Sequence, residues 1–241
     1  MEKRNSGSYR YMYIFPLVLI LTAVSIGCTR SNERIHSILL DDISCNPPCW
    51  ENITPGVTSL EDTMSNLEKI NGISEGPFLQ DDIDHVKEKQ KIGWYFPKDI
   101  EESFGIVYFQ NDIVSRMRFT PGSITIGELV DLIGDPEKIF IVKNRHESTW
   151  IWFDLLYPSK GIIIEYIDFS YCCDDTGFFD LKNDIEPTNV YYFDPMFYDE
   201  MIDDVVFTAD FIWVPDEELQ QAIKDWNGFG LIEYKDLTKL R

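Results

Sequence analysis

Cysteine and carboxylate are the residues of this chain whose spacing could do chemistry. Cys45 and Cys49 bracket Asn46, Pro47 and Pro48, and Cys172 and Cys173 are adjacent. Outside the cytoplasm four such thiols suit disulfides, for which three pairings exist. Joining Cys45 to Cys49 would leave Cys172 and Cys173 a strained vicinal ring. The two long-range pairings avoid that strain and are preferred. Each closes a loop of more than 100 residues, which in the chain-entropy treatment stabilises by roughly 4 to 5 kcal/mol. Tetrahedral zinc fits poorly, because Cys-x-x-x-Cys and Cys-Cys are not the Cys-x-x-Cys knuckles of structural sites.

The carboxylates are densest from Asp168 to Asp204, where eleven acids and one base, Lys182, are interleaved with nine aromatic residues. Asp174, Asp175, Tyr191, Tyr192, Phe197 and Tyr198 are the candidate binding surface there. It would take a cationic partner, a sugar stacked on rings, or calcium held by hard oxygen ligands. Asp174, Asp175, Gly177 and Asp180 do not reproduce the Asp-x-Asp-x-Asp-Gly loop, and an ordinary insertion with core aromatics and solvated acids is the preferred reading of the stretch. His36, His85 and His146 lie in a polar segment, a charged run and a polar turn, none beside a nucleophile. No Gly-x-Ser-x-Gly elbow, His-Glu-x-x-His helix or glycine-rich phosphate loop occurs. No catalytic residue, cofactor or metal site is therefore assigned, and a non-enzymatic chain is expected. Paired carboxylates of the glycosidase kind would arise by chance among this many acids.

Cys28 has a different chemistry. Lys3, Arg4 and Arg10 precede an apolar run from about Met12 to Gly27, which ends in small residues and then Cys28. The run is shorter than the roughly 20 residues of a spanning helix, and the layout is that of a cleaved export signal. The stretch Ser25, Ile26, Gly27, Cys28 resembles the bacterial lipobox, with Ser25 in place of the usual leucine. This implies acylation of Cys28 and attachment to a membrane from the extracytoplasmic side. Several acyl chains anchor stably where one does not. The net charge is −21, and loss of residues 1–27 would make it two units more negative. Repulsion at that charge excludes nucleic acid as a partner and opposes approach to an anionic bilayer.

The elements that must position these residues are legible in patterning. Residues 28–44 read as a tether. Thr58 and Glu61 are spaced as a capping box ahead of a helix with Leu60, Met64 and Leu67 on one face, ending near Asn71 and Gly72. Strands are predicted at Ile92 to Phe96, Gly105 to Phe109 and Ile113 to Phe119. In the last, Ile113, Ser115, Met117 and Phe119 form one row and Val114, Arg116 and Arg118 the other. The order then repeats. Thr125 and Glu128 cap a helix with Ile126, Leu129, Val130 and Ile133 inward, Gly134 and Pro136 end it, and strands follow at Ile139 to Val142, Thr149 to Tyr157 and Ile162 to Phe169. A last helix is predicted from Asp216 to Trp226, with Leu219 and Ile223 inward.

This ordering predicts an α+β fold of tandem helix-plus-antiparallel-sheet units, with helices on one face of the sheet. The divisions are a signal at 1–27, a tether at 28–44, a first unit at 45–120, a second unit with the acidic aromatic insertion at 121–214, and a C-terminal helix and tail at 215–241. The segment Ile53 to Leu67, and the string from Gly122 to Pro136, resemble the helical signature of small outer-membrane-assembly lipoproteins and the related β-lactamase-inhibitor-protein-like fold. Pro47, Pro48, Cys49, Trp50, Ile53, Thr54, Pro55, Gly56 and Thr58 are also similar to a motif of uncharacterised bacterial lipoproteins. Their Trp-x-Gly-Phe-Gly ending is matched by Trp226, Asn227, Gly228, Phe229 and Gly230 through Tyr234. The resemblance implies a binding or scaffolding role toward an envelope protein or component. A calcium- or glycan-binding lipoprotein and an envelope hydrolase are the alternatives. Strongly perturbed titratable groups in a deep pocket would favour the hydrolase, and an open aromatic patch on the sheet face would favour the binder.

Overall fold

The structure is a computed structural model that describes residues 45–70, 73, 75–81, 90–95, 104–145, 149–168, 176–203 and 216–237. Within them, strands dominate and helices are few and short. Four helices, α1 (Leu60–Leu67), α2 (Ile126–Ile133), α3 (Tyr198–Met201) and α4 (Asp216–Gln220), accompany twelve strands. A meander of β1 (Glu75–Asp81), β2 (Gln90–Tyr95), β3 (Phe104–Gln110) and β4 (Ile113–Phe119) forms one half of a ten-stranded sheet. The other half contains β5 (Lys138–Arg145), β6 (Thr149–Tyr157), β7 (Ile162–Asp168) and β9 (Asn189–Phe193), with β10 (Ile223–Asp225) and β12 (Lys235–Asp236) both pairing with β5. Strand order is β1-β2-β3-β4-β9-β7-β6-β5-β10, so β4 and β9 join the halves. β8 (Phe178–Leu181) and β11 (Gly230–Glu233) form a separate antiparallel ribbon.

Local chemistry explains most of these elements. Asn111 and Asp112 both adopt positive φ, 53° and 62°, between β3 and β4, the conformation of a two-residue hairpin whose twist matches its strands. The capping box of α2 forms as predicted: Thr125 Oγ1 accepts from the Glu128 amide at 3.2 Å, and Glu128 Oε2 accepts from the Thr125 amide at 3.0 Å. Gly134 ends that helix at φ 91°, ψ 176°, a positive-φ conformation outside the left-handed helical region. At α1 the cap is Ser59, not Thr58, and its side chain accepts from the Asp62 amide. Thr58 Oγ1 instead accepts from the Thr54 amide at 2.8 Å and closes the preceding turn.

Burial separates two layers. On the first face Trp50, Leu67, Trp94, Phe119, Leu129, Ile141, Phe153, Ile164 and Tyr192 belong to one core, which includes residues of α1 and α2. On the second face Phe140, Trp152, Leu156, Ile163 and Phe193 pack with Met201 and Ile202 at α3 and with Leu219 and Ala222 at α4. Helical residues therefore cover both faces, which corrects the one-face expectation. The reason is in β5, β6, β7 and β9, whose alternate residues are apolar on both sides and need two covers. The predicted helix through Trp226 is corrected as well: α4 stops at Gln220, and Ile223 to Asp225 pair antiparallel with Phe140 to Lys138.

The disulfide also differs from expectation. Cys45 is bonded to Cys49 across a Cα separation of 5.6 Å, in place of the preferred long-range pairing. A four-residue separation around two prolines already brings the thiols within bonding range. Cys172 and Cys173 lie outside the described residues, as do Cys28, the tether, the three histidines and the first helix's predicted end at Asn71 and Gly72. The bridge precedes Trp50, which stacks on Trp94 with ring centroids 5.5 Å apart and packs at a tilt against Phe119 at 4.8 Å. Trp94 can occupy this place because its cross-strand partner is Gly105. A Cβ at residue 105 would sit 2.1 Å from the Trp94 ring. Gly105→Ala is expected to lower stability by about 1 to 3 kcal/mol through overpacking. Urea denaturation followed by tryptophan fluorescence checks it, and an unchanged midpoint contradicts the packing described.

Candidate functional site

The second face changes character at β4. Toward β6 it is covered by the α3 and α4 residues, whereas along β2, β3 and β4 the described neighbours leave it half open. Lys91 and Tyr95 on β2, Phe104, Ile106 and Tyr108 on β3, and Arg116 and Arg118 on β4 share this side. Their strand neighbours Ile92, Trp94, Val107, Phe109, Met117 and Phe119 point into the first core. A bulge places the arginines. Tyr108 pairs with Arg116 and Phe109 with Val114, so Ser115 is the extra residue, and its Oγ donates to the Tyr108 carbonyl at 3.1 Å. The alternation predicted for this strand slips there: Val114, not Ser115, joins Met117 and Phe119 in the core.

Each guanidinium is held over a ring. Arg116 lies 4.5 Å from the Tyr108 centroid and Arg118 lies 5.3 Å from that of Phe104, arrangements in which a cation is attracted to the ring face. Beside them is a hollow of about 180 Å³ lined by Lys91, Gly93, Trp94, Tyr95, Phe104, Gly105 and Ile106. Gly93 faces Ile106 across the strand pair. Gly93 brings no side chain to the strand between Lys91 and Tyr95. Tyr95 is 48% exposed at its rim.

Arg118 also looks toward a buried acid pair. Asp154 on β6 and Glu165 on β7 are cross-strand partners, and both are buried. Trp152 Nε1 donates to Asp154 Oδ1 at 3.0 Å, while Asp154 Oδ2 has no hydrogen-bond partner among the described residues. Asn189 Nδ2 and Tyr191 Oη both donate to Glu165 Oε2, the latter at 3.3 Å. Burial, then the charge of Glu165, holds the Asp154 carboxyl well above the usual carboxylate range against the opposing Trp152 bond. Burial also raises Glu165, against the lowering effects of Asn189, Tyr191 and the Arg118 charge. Asp154 has fewer compensating donors than Glu165. Burial followed by the Glu165 charge pushes the Tyr191 phenol upward too.

The candidate acidic aromatic surface is only partly assembled, and its buried tyrosines follow the alternative of core aromatics. Tyr191 and Tyr192 are buried and belong to the two cores, so neither is a surface group. Tyr198 packs on Phe193 with centroids 6.3 Å apart, and burial raises its phenol to about 12. Phe197 is 48% exposed beside the more exposed Met196. Asp174 and Asp175 lie outside the described residues. Among the described residues no group of three or more His, Cys, Asp or Glu could hold a metal ion, and no helix is long and apolar enough to cross a membrane. Lys91, Tyr95, Arg116 and Arg118 escaped the sequence reading, which assigned the two arginines to a solvent row. Two bases alternating on a strand of an acidic chain were the available signal.

Comparison with family models, with curated proteins and with solved structures finds no match to this chain. The site rests on its geometry.

The acid pair has a consequence for stability. Carboxyls raised in the folded state bind protons that the unfolded chain has already released, so their contribution is present at acid pH. It is lost as pH rises from the ordinary carboxylate range near 4 through the folded values, by at most about 1.4 kcal/mol per pH unit for each proton. Asp154→Asn removes the ionisation and keeps an oxygen acceptor for Trp152. It is expected to be nearly neutral at pH 4 and to gain stability over the parent as pH rises toward 8. Denaturant titrations across that range check this, and a pH-independent difference contradicts it.

Proposed function

We propose that this chain is a lipid-anchored extracytoplasmic binding or scaffolding module without enzymatic activity, attached through Cys28 and recognising an envelope protein or component through the half-open face of β2, β3 and β4. The observation that carries the reading is that face itself, with rings and stacked cations around a shallow hollow. The perturbed carboxyls Asp154 and Glu165 do not line the hollow, and this arrangement favours the binder over the hydrolase. Hard oxygen ligands are not gathered among the described residues, so the calcium reading has less support than the protein-binding one.

The body is read as two tandem units at 45–120 and 121–214, followed by the C-terminal segment. Supporting this, α1 precedes β1 to β4 as α2 precedes β5, β6, β7 and β9, and the strand order meets at the last member of each series. The β8 ribbon strand is an addition in the second unit. The C-terminal segment completes the second layer with Leu219, Ala222 and Leu237.

Two measurements test the proposal. Cys28→Ser is expected to move the protein from the membrane fraction to the soluble one, and unchanged partitioning contradicts the lipid anchor. In native envelopes, cross-linking and pull-down of the parent and of Tyr95→Ala should recover a partner that the variant loses by about tenfold or more, the effect of truncating an interface anchor. Equal recovery of every co-purifying component by both proteins contradicts the assignment of this face. Tyr95 is at the rim, so its removal leaves both cores intact.

A further inference from the structure

We propose that the hollow over Gly93 is the anchor site for an acidic peptide segment of a partner protein, one whose aromatic or large apolar side chain enters the hollow between flanking carboxylates. This rests on the binding-module reading above and adds the ligand's chemistry.

Size sets the first limit. A cavity of about 150 Å³ lined by apolar side chains accepts a benzene ring, and whole small-molecule sites are usually several hundred Å³. At about 180 Å³ this hollow suits one side chain of a longer ligand. Its lining sets the second. Phe104 and Ile106 offer apolar side-chain surface, and Tyr95 and Lys91 bring the polar side-chain groups. A sugar ring would bring several hydroxyls for which the lining offers only the Lys91 and Tyr95 side chains, so most would lose water on entry without replacement, whereas an aromatic side chain needs no such partner.

Charge sets the third. The chain carries 42 acidic and 21 basic residues, yet β2, β3 and β4 contain Lys91, Arg116 and Arg118 and no Asp or Glu. The guanidiniums lie against Tyr108 and Phe104 at 4.5 and 5.3 Å, so their orientation is fixed before a ligand arrives and less entropy is lost on binding. A segment with a few carboxylates is attracted to this face and repelled by the acidic remainder, which fixes where it docks. A long polyanion would meet that remainder along its length and be rejected.

The test uses the acylated protein in neutral detergent micelles and fluorescent capped pentapeptides. The probe is Glu-Glu-Phe-Glu-Glu. Its controls are the glutamine analogue, the lysine analogue, the version with alanine in place of phenylalanine, and a tetragalacturonate of the same charge. Anisotropy titrations are expected to give saturable binding of the probe, weakened about tenfold by the alanine version and about tenfold by Lys91→Glu, and weakened further on raising salt. Circular dichroism of Lys91→Glu checks that it folds, and Arg116→Gln provides a second variant in which weaker binding is expected. The proposal is overturned if the glutamine or lysine analogue binds as tightly as the probe, if the galacturonate binds more tightly, or if Lys91→Glu and Arg116→Gln bind the probe like the parent. It is also overturned if sedimentation shows that a second copy of the chain occupies the face and the probe does not displace it. A Tyr95-dependent partner in the envelope pull-down together with any of these results sinks the peptide assignment and leaves the binding-module reading standing. Loss of both sinks both.

Discussion

The ladder between β4 and β9 is the constraint on which the rest depends. It pairs Arg116, Met117, Arg118 and Phe119 with Phe193, Tyr192, Tyr191 and Val190, and it makes two meanders into one sheet. On the first face the seam is apolar, with Phe119 packed edge-on to Tyr192 at 5.6 Å, so both halves share a continuous core. On the second face the same ladder places arginine beside aromatic residues. A strand that is hydrophobic on both sides needs two covers, and β9 has them. β4 is hydrophobic on one side only, and the second layer ends where it begins.

That change of burial generates the site. Had residues 116 and 118 been apolar, the second core would have extended over β3 and β2, and the hollow at Gly93 would be part of it. Both positions instead hold arginine side chains. They lie along Tyr108 and Phe104, and Arg118 adds its charge to the environment of Glu165. The acid pair and the open face are thus two consequences of one boundary. Asp154 is buried on the side of the second core, where burial and the Glu165 charge raise its carboxyl. Neither carboxyl is among the residues that line the hollow.

Much of this fold could be read from the chain, and what could not was excluded by specific physics. The strands from Ile113 to Phe119 and from Thr149 to Tyr157 have the predicted bounds, because each is bounded by turn residues, Asn111 with Asp112 and Pro158 with Gly161. The inward face of α2 is as expected, since a capping box fixes where its periodicity starts. The one-residue error at the α1 cap reflects two adjacent hydroxyl residues that compete for the same role. β10 was mistaken for the continuation of a helix because Ile223 keeps the helical spacing from Leu219. Only the free edge of β5, which depends on tertiary pairing, draws those residues into a strand. The bulge at Ser115 likewise leaves no mark in an alternating pattern, and it decides which side the arginines take.

The candidate site was less legible than the fold for a related reason. By composition alone, the acidic aromatic run from Asp168 to Asp204 is the most unusual stretch of the chain. Composition does not distinguish a ring that faces solvent from one that fills a core. Tyr191 and Tyr192 sit in adjacent positions of a two-sided strand, and each enters a different core. The open face, by contrast, is assembled from residues spread between Lys91 and Arg118, no two of the bases on the same strand except Arg116 and Arg118. It becomes visible only once pairing brings Gly93 opposite Ile106 and the bulge turns the arginines outward. A chain this acidic has little basic surface, and on β2 to β4 all of it lies on one side of the sheet, the side on which Gly93 faces Ile106.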